Sequence, residues 1–218
     1  MIFMDRRHAG RILAKAITAS TDWLDPIVLG LPRGGVPVAY EVAQALTLPL
    51  DIFIVRKLGV PGQEQLAMGA IASGGLVVVN EPILNAFHIS REVLEAVIRR
   101  ESLEIKRQNA DYRAGHPLPL LAGRTLILVD DGLATGSTMR AAVWTLRPQA
   151  KQVIVAVPIA AEETCNDFRT EVDQIVCPST SQTLSSVGAF YQDFEQTTDD
   201  EVRYLLSLAR PTPFLKAG

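Results

Sequence analysis

The 218-residue sequence predicts an α/β protein built on a doubly wound, mostly parallel sheet, and three observations predict it. Short apolar runs recur at 27–29, 51–55, 126–129 and 153–157, close to uniformly apolar as strands covered on both faces are. Segments with apolar residues at helical spacing separate most of them, the alternation that builds parallel sheets. Two of the runs pass directly into glycine-rich loops that open the next helix.

In chain order, Asp5 can cap a first helix whose Ala9, Ile12, Leu13, Ala16 and Ile17 form one apolar stripe. A polar connection over 18–26 leads to the strand at 27–29 and the loop Gly30-Leu31-Pro32-Arg33-Gly34-Gly35. Pro37 falls near the start of the next helix, where its missing N–H costs nothing, and Ala39, Val42, Ala43 and Leu46 give that helix its core face. The strand at 51–55 ends on Arg56-Lys57. Residues 58–66, with Gly59, Pro61 and Gly62, are expected to form a mobile loop. Residues 68–72 and 76–79 read as a hairpin about Ser73-Gly74-Gly75. Ser90 can cap a long charged helix reaching about Tyr112. The strand at 126–129 runs into Asp130-Asp131-Gly132-Leu133-Ala134-Thr135-Gly136-Ser137-Thr138 and a helix with Met139, Ala142, Val143 and Leu146 on one face. A strand at 153–157, a helix over 161–168, a short strand over 173–177, a polar and aromatic stretch over 182–198 and a closing helix over 199–209 complete the chain. No repeat or linker tract divides it, so a single domain is expected, with a core of about 27–160 and a small hood from about 1–20 and 178–218.

Composition narrows the function. At 48% hydrophobic and 21% charged residues, the chain can bury a sizeable core. A formal net charge of -3 argues against nucleic acid or an anionic membrane as the main partner, and does not forbid a local basic pocket. Cys165 and Cys177 have no metal-like spacing, the start carries no apolar signal core, and no apolar run approaches bilayer length. A cytoplasmic location is the expectation.

The strand ends carry the chemistry. Ligands of open α/β sheets sit at the carboxyl ends of strands. There, Thr135, Gly136, Ser137 and Thr138 present small side chains and backbone N–H groups at a helix start, which suits a phosphate. Asp130 and Asp131 would repel that phosphate, so they suit hydroxyls or a divalent cation beside it. Arg33 with Gly34 and Gly35, and Arg56 with Lys57, add a basic cluster on the same edge. A ligand with a monophosphate, vicinal hydroxyls, a second anionic group and Mg²⁺ satisfies all of these groups. A Walker-type site is excluded by the lack of a Gly-Lys-Ser/Thr ending, and a dinucleotide site by the lack of Gly-x-Gly-x-x-Gly.

That description fits phosphoribosyl pyrophosphate. The stretch Val129-Asp130-Asp131-Gly132-Leu133-Ala134-Thr135-Gly136-Ser137-Thr138 closely resembles the signature of type I phosphoribosyltransferases. The loop 30–35 resembles that family's pyrophosphate loop, and Arg56-Lys57 with its Gly/Pro loop is similar to the flexible loop of the adenine-type enzymes. The likeness spans about residues 27–160. It implies transfer of ribose 5-phosphate to a nitrogenous, nucleobase-like acceptor with release of pyrophosphate. It implies the following roles. Backbone and hydroxyls over Ala134, Thr135, Gly136, Ser137 and Thr138 hold the 5′-phosphate. Asp130 and Asp131 face the ribose hydroxyls or Mg²⁺, directly or indirectly. Arg33, Gly34 and Gly35 bind pyrophosphate. Lys57, with Arg56, closes over the leaving group. A cis peptide near Pro32-Arg33 is a further expectation of the likeness. Because neighbouring strand residues point to opposite faces, both acids reach the ligand only if the strand has begun to turn, and one of the two can be structural. Ala134 stands where hypoxanthine-type members place an aspartate, and alanine cannot exchange a proton. A non-enzymatic donor-binding sensor is the alternative reading.

Other features read more plainly. Phe190, Tyr191 and Phe194 faintly resemble a purine-binding segment of the family and are read as core. Asp193 reads as a surface or capping acid, and His8, His88 and His116 as structural or exposed. The charged helix from Arg91 to Arg107 reads as a solvated face or, against a second copy, a homodimer contact.

Overall fold

A computed structural model of the chain describes residues 1–17, 23–113 and 115–209. The elements in order are α1 (Arg6–Ala16), β1 (Ile27–Gly30), α2 (Gly35–Leu46), β2 (Leu50–Ile52), β3 (Val55–Val60), β4 (Gln63–Ala72), β5 (Val77–Val79), α3 (Glu81–Ala86), α4 (Arg91–Arg113), β6 (Thr125–Val129), α5 (Ser137–Leu146), β7 (Gln152–Ala156), β8 (Ile159–Ala161), α6 (Glu162–Glu171), β9 (Gln174–Val176), β10 (Ser179–Ser181) and α7 (Asp199–Ala209). Part of the polar connection expected at 18–26, and the end of the expected hood, lie outside the described residues.

The central sheet is five-stranded, in the order β2-β1-β6-β7-β9, and every pairing is parallel. Its three inner strands, β1, β6 and β7, are buried on both faces, as uniform apolar runs require. Val28, Ile127, Val129, Ile154 and Ala156 face one core, which α2, α4 and α7 cover with Val42, Val97 and Leu205. Ile27, Leu29, Leu126, Leu128, Val153 and Val155 face the other, under Met139 and Val143 of α5 and Phe168 of α6. Helices on both faces make the doubly wound fold.

Two expectations are corrected. The run at 51–55 is not one strand: β2 ends at Ile52, and Phe53 N donates to Gly30 O at 3.0 Å, after which the chain leaves the sheet. Arg56 and Lys57 therefore lie in β3, in a separate antiparallel sheet of order β3-β4-β5, and not at a parallel strand's end. The loop expected at 58–66 is instead largely the paired arms of that hairpin, joined by Pro61-Gly62. Gly62 takes a left-handed φ of 79°, which favours glycine. Gly59 sits at the register shift, where a Cβ would stand 3.0 Å from Glu64 Cα. The glycines that suggested a loop mark a bulge and a turn. The hairpin about Ser73-Gly74-Gly75 and the helix after Ser90 are present.

Candidate active site

β1 and β6 are adjacent and in parallel register, with Gly30 opposite Val129. The two glycine-rich loops therefore leave the sheet side by side. Leu31 N donates to Val129 O at 2.9 Å, tying the first residue of one loop to the strand that launches the other. The Pro32-Arg33 peptide is cis, as the resemblance implies. Gly35 begins α2, and a Cβ there would lie 2.7 Å from Val129 O and 2.9 Å from Asp130 Cα. A Cβ on Gly34 would overlap Asp131 Oδ2. The glycine pair thus serves first to let this loop close on the acid pair, a use that sequence reasoning, which had them facing a ligand, did not find.

The two acids differ in their surroundings. Asp130 lies just past the end of β6 and accepts from the Asp131 N–H through Oδ1 at 2.9 Å. Burial, then the charge of Asp131, pushes its carboxyl well up from the ordinary range. Asp131 Oδ2 is paired with Arg6 Nε at 2.8 Å, the side chains only 15% and 12% exposed. Burial pushes the Asp131 carboxyl up, and the Arg6 guanidinium opposes it. Arg6 is positioned by local sequence: Asp5 caps α1, its Oδ1 accepting from His8 N at 2.6 Å, so Arg6 begins the helix. Its Nη1 donates to Glu195 O at 2.6 Å, and its guanidinium lies 3.9 Å from the Phe194 ring centre. Arg6 had no signal of its own in the sequence. Tyr191, buried between Phe3 and Phe194, donates through its hydroxyl to Asp131 O at 2.6 Å. Tyr191 is core, as the sequence suggested, while Phe194 is half-buried against Arg6.

Behind the acids, residues 130 and 132–139 with Val187 line a cavity of about 180 Å³. Leu133 pairs with Ala160, Leu133 N donating to Ile159 O at 2.9 Å. Thr164 Oγ1 donates to Ala134 O at 2.6 Å, which anchors the middle of this loop to α6. Gly136 holds a φ of 67°, and a Cβ there would reach 2.7 Å from Phe168. Thr135, Ser137 and Thr138 surround the start of α5, where the Ser137 N–H donates to Thr135 Oγ1 at 3.5 Å. The first N–H groups of a helix lack intrahelical partners, and such a start can receive an anion.

The basic residues separate. Arg33 stands at the loop next to the acids, 3.7 Å from Asp199 Oδ1 and 39% exposed. Asp199 also accepts from the Tyr112 hydroxyl at 2.6 Å, and burial with that bond pushes the Tyr112 phenol up to about 12. Arg56 turns away and pairs with Glu101 of α4. Lys57, on the opposite face of β3, lines a cavity of about 250 Å³ with Ser137, Arg140 and Asn80, beside the start of α5. Among the described residues no group of three or more His, Cys, Asp and Glu could hold a metal ion, and no helix is long and apolar enough to cross a membrane.

Parallel sheet, paired loops and glycine-led helix start define an open α/β protein, a class in which ligands sit at strand ends such as those of β1 and β6. The phosphoribosyl transferase domain family matches residues 6–183, and the chain belongs to that family. Two Mycobacterium tuberculosis proteins, each named "Putative phosphoribosyl transferase", are 42% identical to it over 218 residues. They cover all of this chain, which spans 49% of their length. The crystal structure of a Thermus thermophilus protein, TT1426, superposes with a TM-score of 0.86 at 40% identity, over 94% of this chain and 98% of that one.

Proposed function

We propose that the protein is a phosphoribosyltransferase. It binds phosphoribosyl pyrophosphate with Mg²⁺ and transfers ribose 5-phosphate to a nitrogenous, nucleobase-like acceptor, releasing pyrophosphate. The observation that carries this reading is the abutment of the Arg33 loop and the 130–138 loop on one sheet edge, close enough that a Cβ at Gly35 would lie 2.7 Å from Val129 O. The N–H groups over 135–138 hold the 5′-phosphate at the start of α5. Arg33 and the loop N–H groups beside it take the pyrophosphate, and Lys57 supplies a second cation from the hairpin. Asp130 serves the ribose hydroxyls.

The residues fit Mg²⁺ carried in on the ligand. Mg²⁺ binds through one or two carboxylates together with substrate phosphates and water, and Asp130 is the carboxylate the cavity presents. Bound there, Mg²⁺ supplies neutralisation of the departing pyrophosphate. The acceptor nitrogen forms its bond to the anomeric carbon as the bond to the pyrophosphate oxygen breaks, and the electron pair leaves with pyrophosphate. The chain contributes positioning and charge stabilisation to this step. Ala134 cannot take a proton, so the acceptor's proton must leave by another group or water.

The test is incubation with phosphoribosyl pyrophosphate, Mg²⁺ and a panel of purines and pyrimidines, followed by pyrophosphate assay. Pyrophosphate release that depends on one acceptor is expected. Folded protein that neither turns over nor binds the donor refutes the reading. Donor binding by calorimetry without turnover favours a donor sensor, the second reading that Ala134 motivates.

A further inference from the structure

We infer that Arg6 is a positioning residue that withdraws Asp131 from the ligand and leaves Asp130 as the single acid meeting the donor. The inference rests on the reading of this edge as a donor site and assigns the division of labour within it. A pair of adjacent carboxylates at a strand end invites the assumption of equivalent roles. Their surroundings separate them.

Asp131 is enclosed. Its Oδ2 is 2.8 Å from Arg6 Nε, with both side chains largely out of solvent. Gly34 packs so closely on the same oxygen that no side chain fits between. Its backbone carbonyl is taken by the Tyr191 hydroxyl at 2.6 Å. Arg6 is equally committed. Glu195 O receives Nη1 at 2.6 Å, and the Phe194 ring covers the guanidinium at 3.9 Å. An ion pair held from three sides in this way has little freedom to reorient toward a ligand. Asp130 faces the other way. It lines the cavity formed by Gly132, Ala134, Gly136 and their neighbours, which Asp131 does not. Among the described residues its single hydrogen bond is from the Asp131 N–H.

Arg6 thereby does for the pair what two carboxylates alone cannot. Adjacent like charges disfavour each other's ionised form, and an opposite charge at one of them relieves the conflict. With Arg6 removed, the Asp131 carboxylate becomes an unpaired buried charge beside Asp130, free to swing toward the ligand edge and repel the pyrophosphate.

The experiment is calorimetric titration of phosphoribosyl pyrophosphate with Mg²⁺ into wild type, Arg6→Met, Arg6→Lys, Asp130→Asn, Asp131→Asn and the double variant Arg6→Met/Asp131→Asn, with thermal melts alongside. Asp130→Asn should raise the Kd at least about tenfold, and Asp131→Asn by about threefold or less. Arg6→Met should raise it about tenfold, with Arg6→Lys between it and wild type. The double variant should return to within about threefold of wild type, because the orphaned charge is gone. A folding role alone would lower the melting temperature of Arg6→Met with the Kd unchanged, and overturns the inference. A double variant no better than Arg6→Met, or Asp131→Asn costing as much as Asp130→Asn, also overturns it by giving Asp131 a direct contact. If Arg6→Met does not fold, the order of the two Asp→Asn variants decides alone. Wild type that binds no donor overturns both this inference and the reading beneath it, whereas wild-type binding with the wrong order overturns this one only.

Discussion

Gly35→Ala tests how tightly the two loops must abut. The added Cβ would stand 2.7 Å from Val129 O and 2.9 Å from Asp130 Cα, both main-chain atoms that no rotamer change can move. The Arg33 loop must therefore retreat by the difference between 2.7 Å and the 3.4 Å where ordinary contact begins, about 0.7 Å. Overpacking of this kind costs about 1–3 kcal/mol. Replacing glycine by alanine in the first turn of α2 returns up to about 1 kcal/mol of helix propensity. The net loss is about 3 kcal/mol or less, a melting temperature lower by roughly 12 °C at most in a chain of this size. Ligand sites tolerate displacements of only about 0.5 Å, so binding of inorganic pyrophosphate should weaken about tenfold or more. Calorimetry of pyrophosphate with Mg²⁺, and scanning calorimetry of the free protein, measure the two effects separately. A folded variant that binds pyrophosphate as wild type does would refute the claim that the abutment sets the site.

Three further outcomes are expected. Asp199→Asn removes the carboxylate 3.7 Å from Arg33; because the pair is exposed, pyrophosphate affinity should rise only about two- to fivefold by calorimetry, and a fall would show that Asp199 orients Arg33 for the ligand. Arg113→Met strands Asp51, whose Oδ2 lies 2.7 Å from Nη1, with the two side chains 13% and 4% exposed; a loss of about 3–5 kcal/mol in urea titration is expected, and a loss under about 1 kcal/mol counts against this bond as the anchor of α4. Asp130→Asn should change the pH profile of stability: burial first, then Asp131, raises the folded-state pKa, so the folded state holds this proton to higher pH than the unfolded chain. Wild type then loses stability as pH rises from about 4 through the raised value, and the variant does not. The variant should melt above wild type at about pH 8 and near it at about pH 4, and a gap that is widest in acid would be inconsistent with the shift.

The parallel sheet was legible because each of its long strands is apolar without alternation, a pattern that two-sided burial imposes and little else does. The 130–138 loop was legible for a related reason: its glycine, threonine and serine residues answer local backbone demands, such as the left-handed Gly136. What the sequence concealed is contact at a distance. Nothing near residue 6 announces that Arg6 will meet a carboxylate 125 positions away. Arg56 and Lys57 misled because an apolar run, 51–55, continues smoothly across the point where Phe53 and Ile54 change sheets. Periodicity reports burial on both sides of that point and cannot report which sheet does the burying. The question of which acid faces the ligand had the same limit, since adjacent residues of like chemistry differ only in what the rest of the fold places around them.

The pairing of Arg6 with Asp131 and Glu195 also has a history in time. The two hydrogen bonds span 125 and 189 residues. In a chain made from its N-terminus, α1 emerges long before either partner exists, at about 5–20 residues per second. Closing such long loops is the slow part of ordering a chain. Arg6 therefore waits on α1 for partners made 125 and 189 residues later, and the acid pair has its full surroundings only once both have arrived.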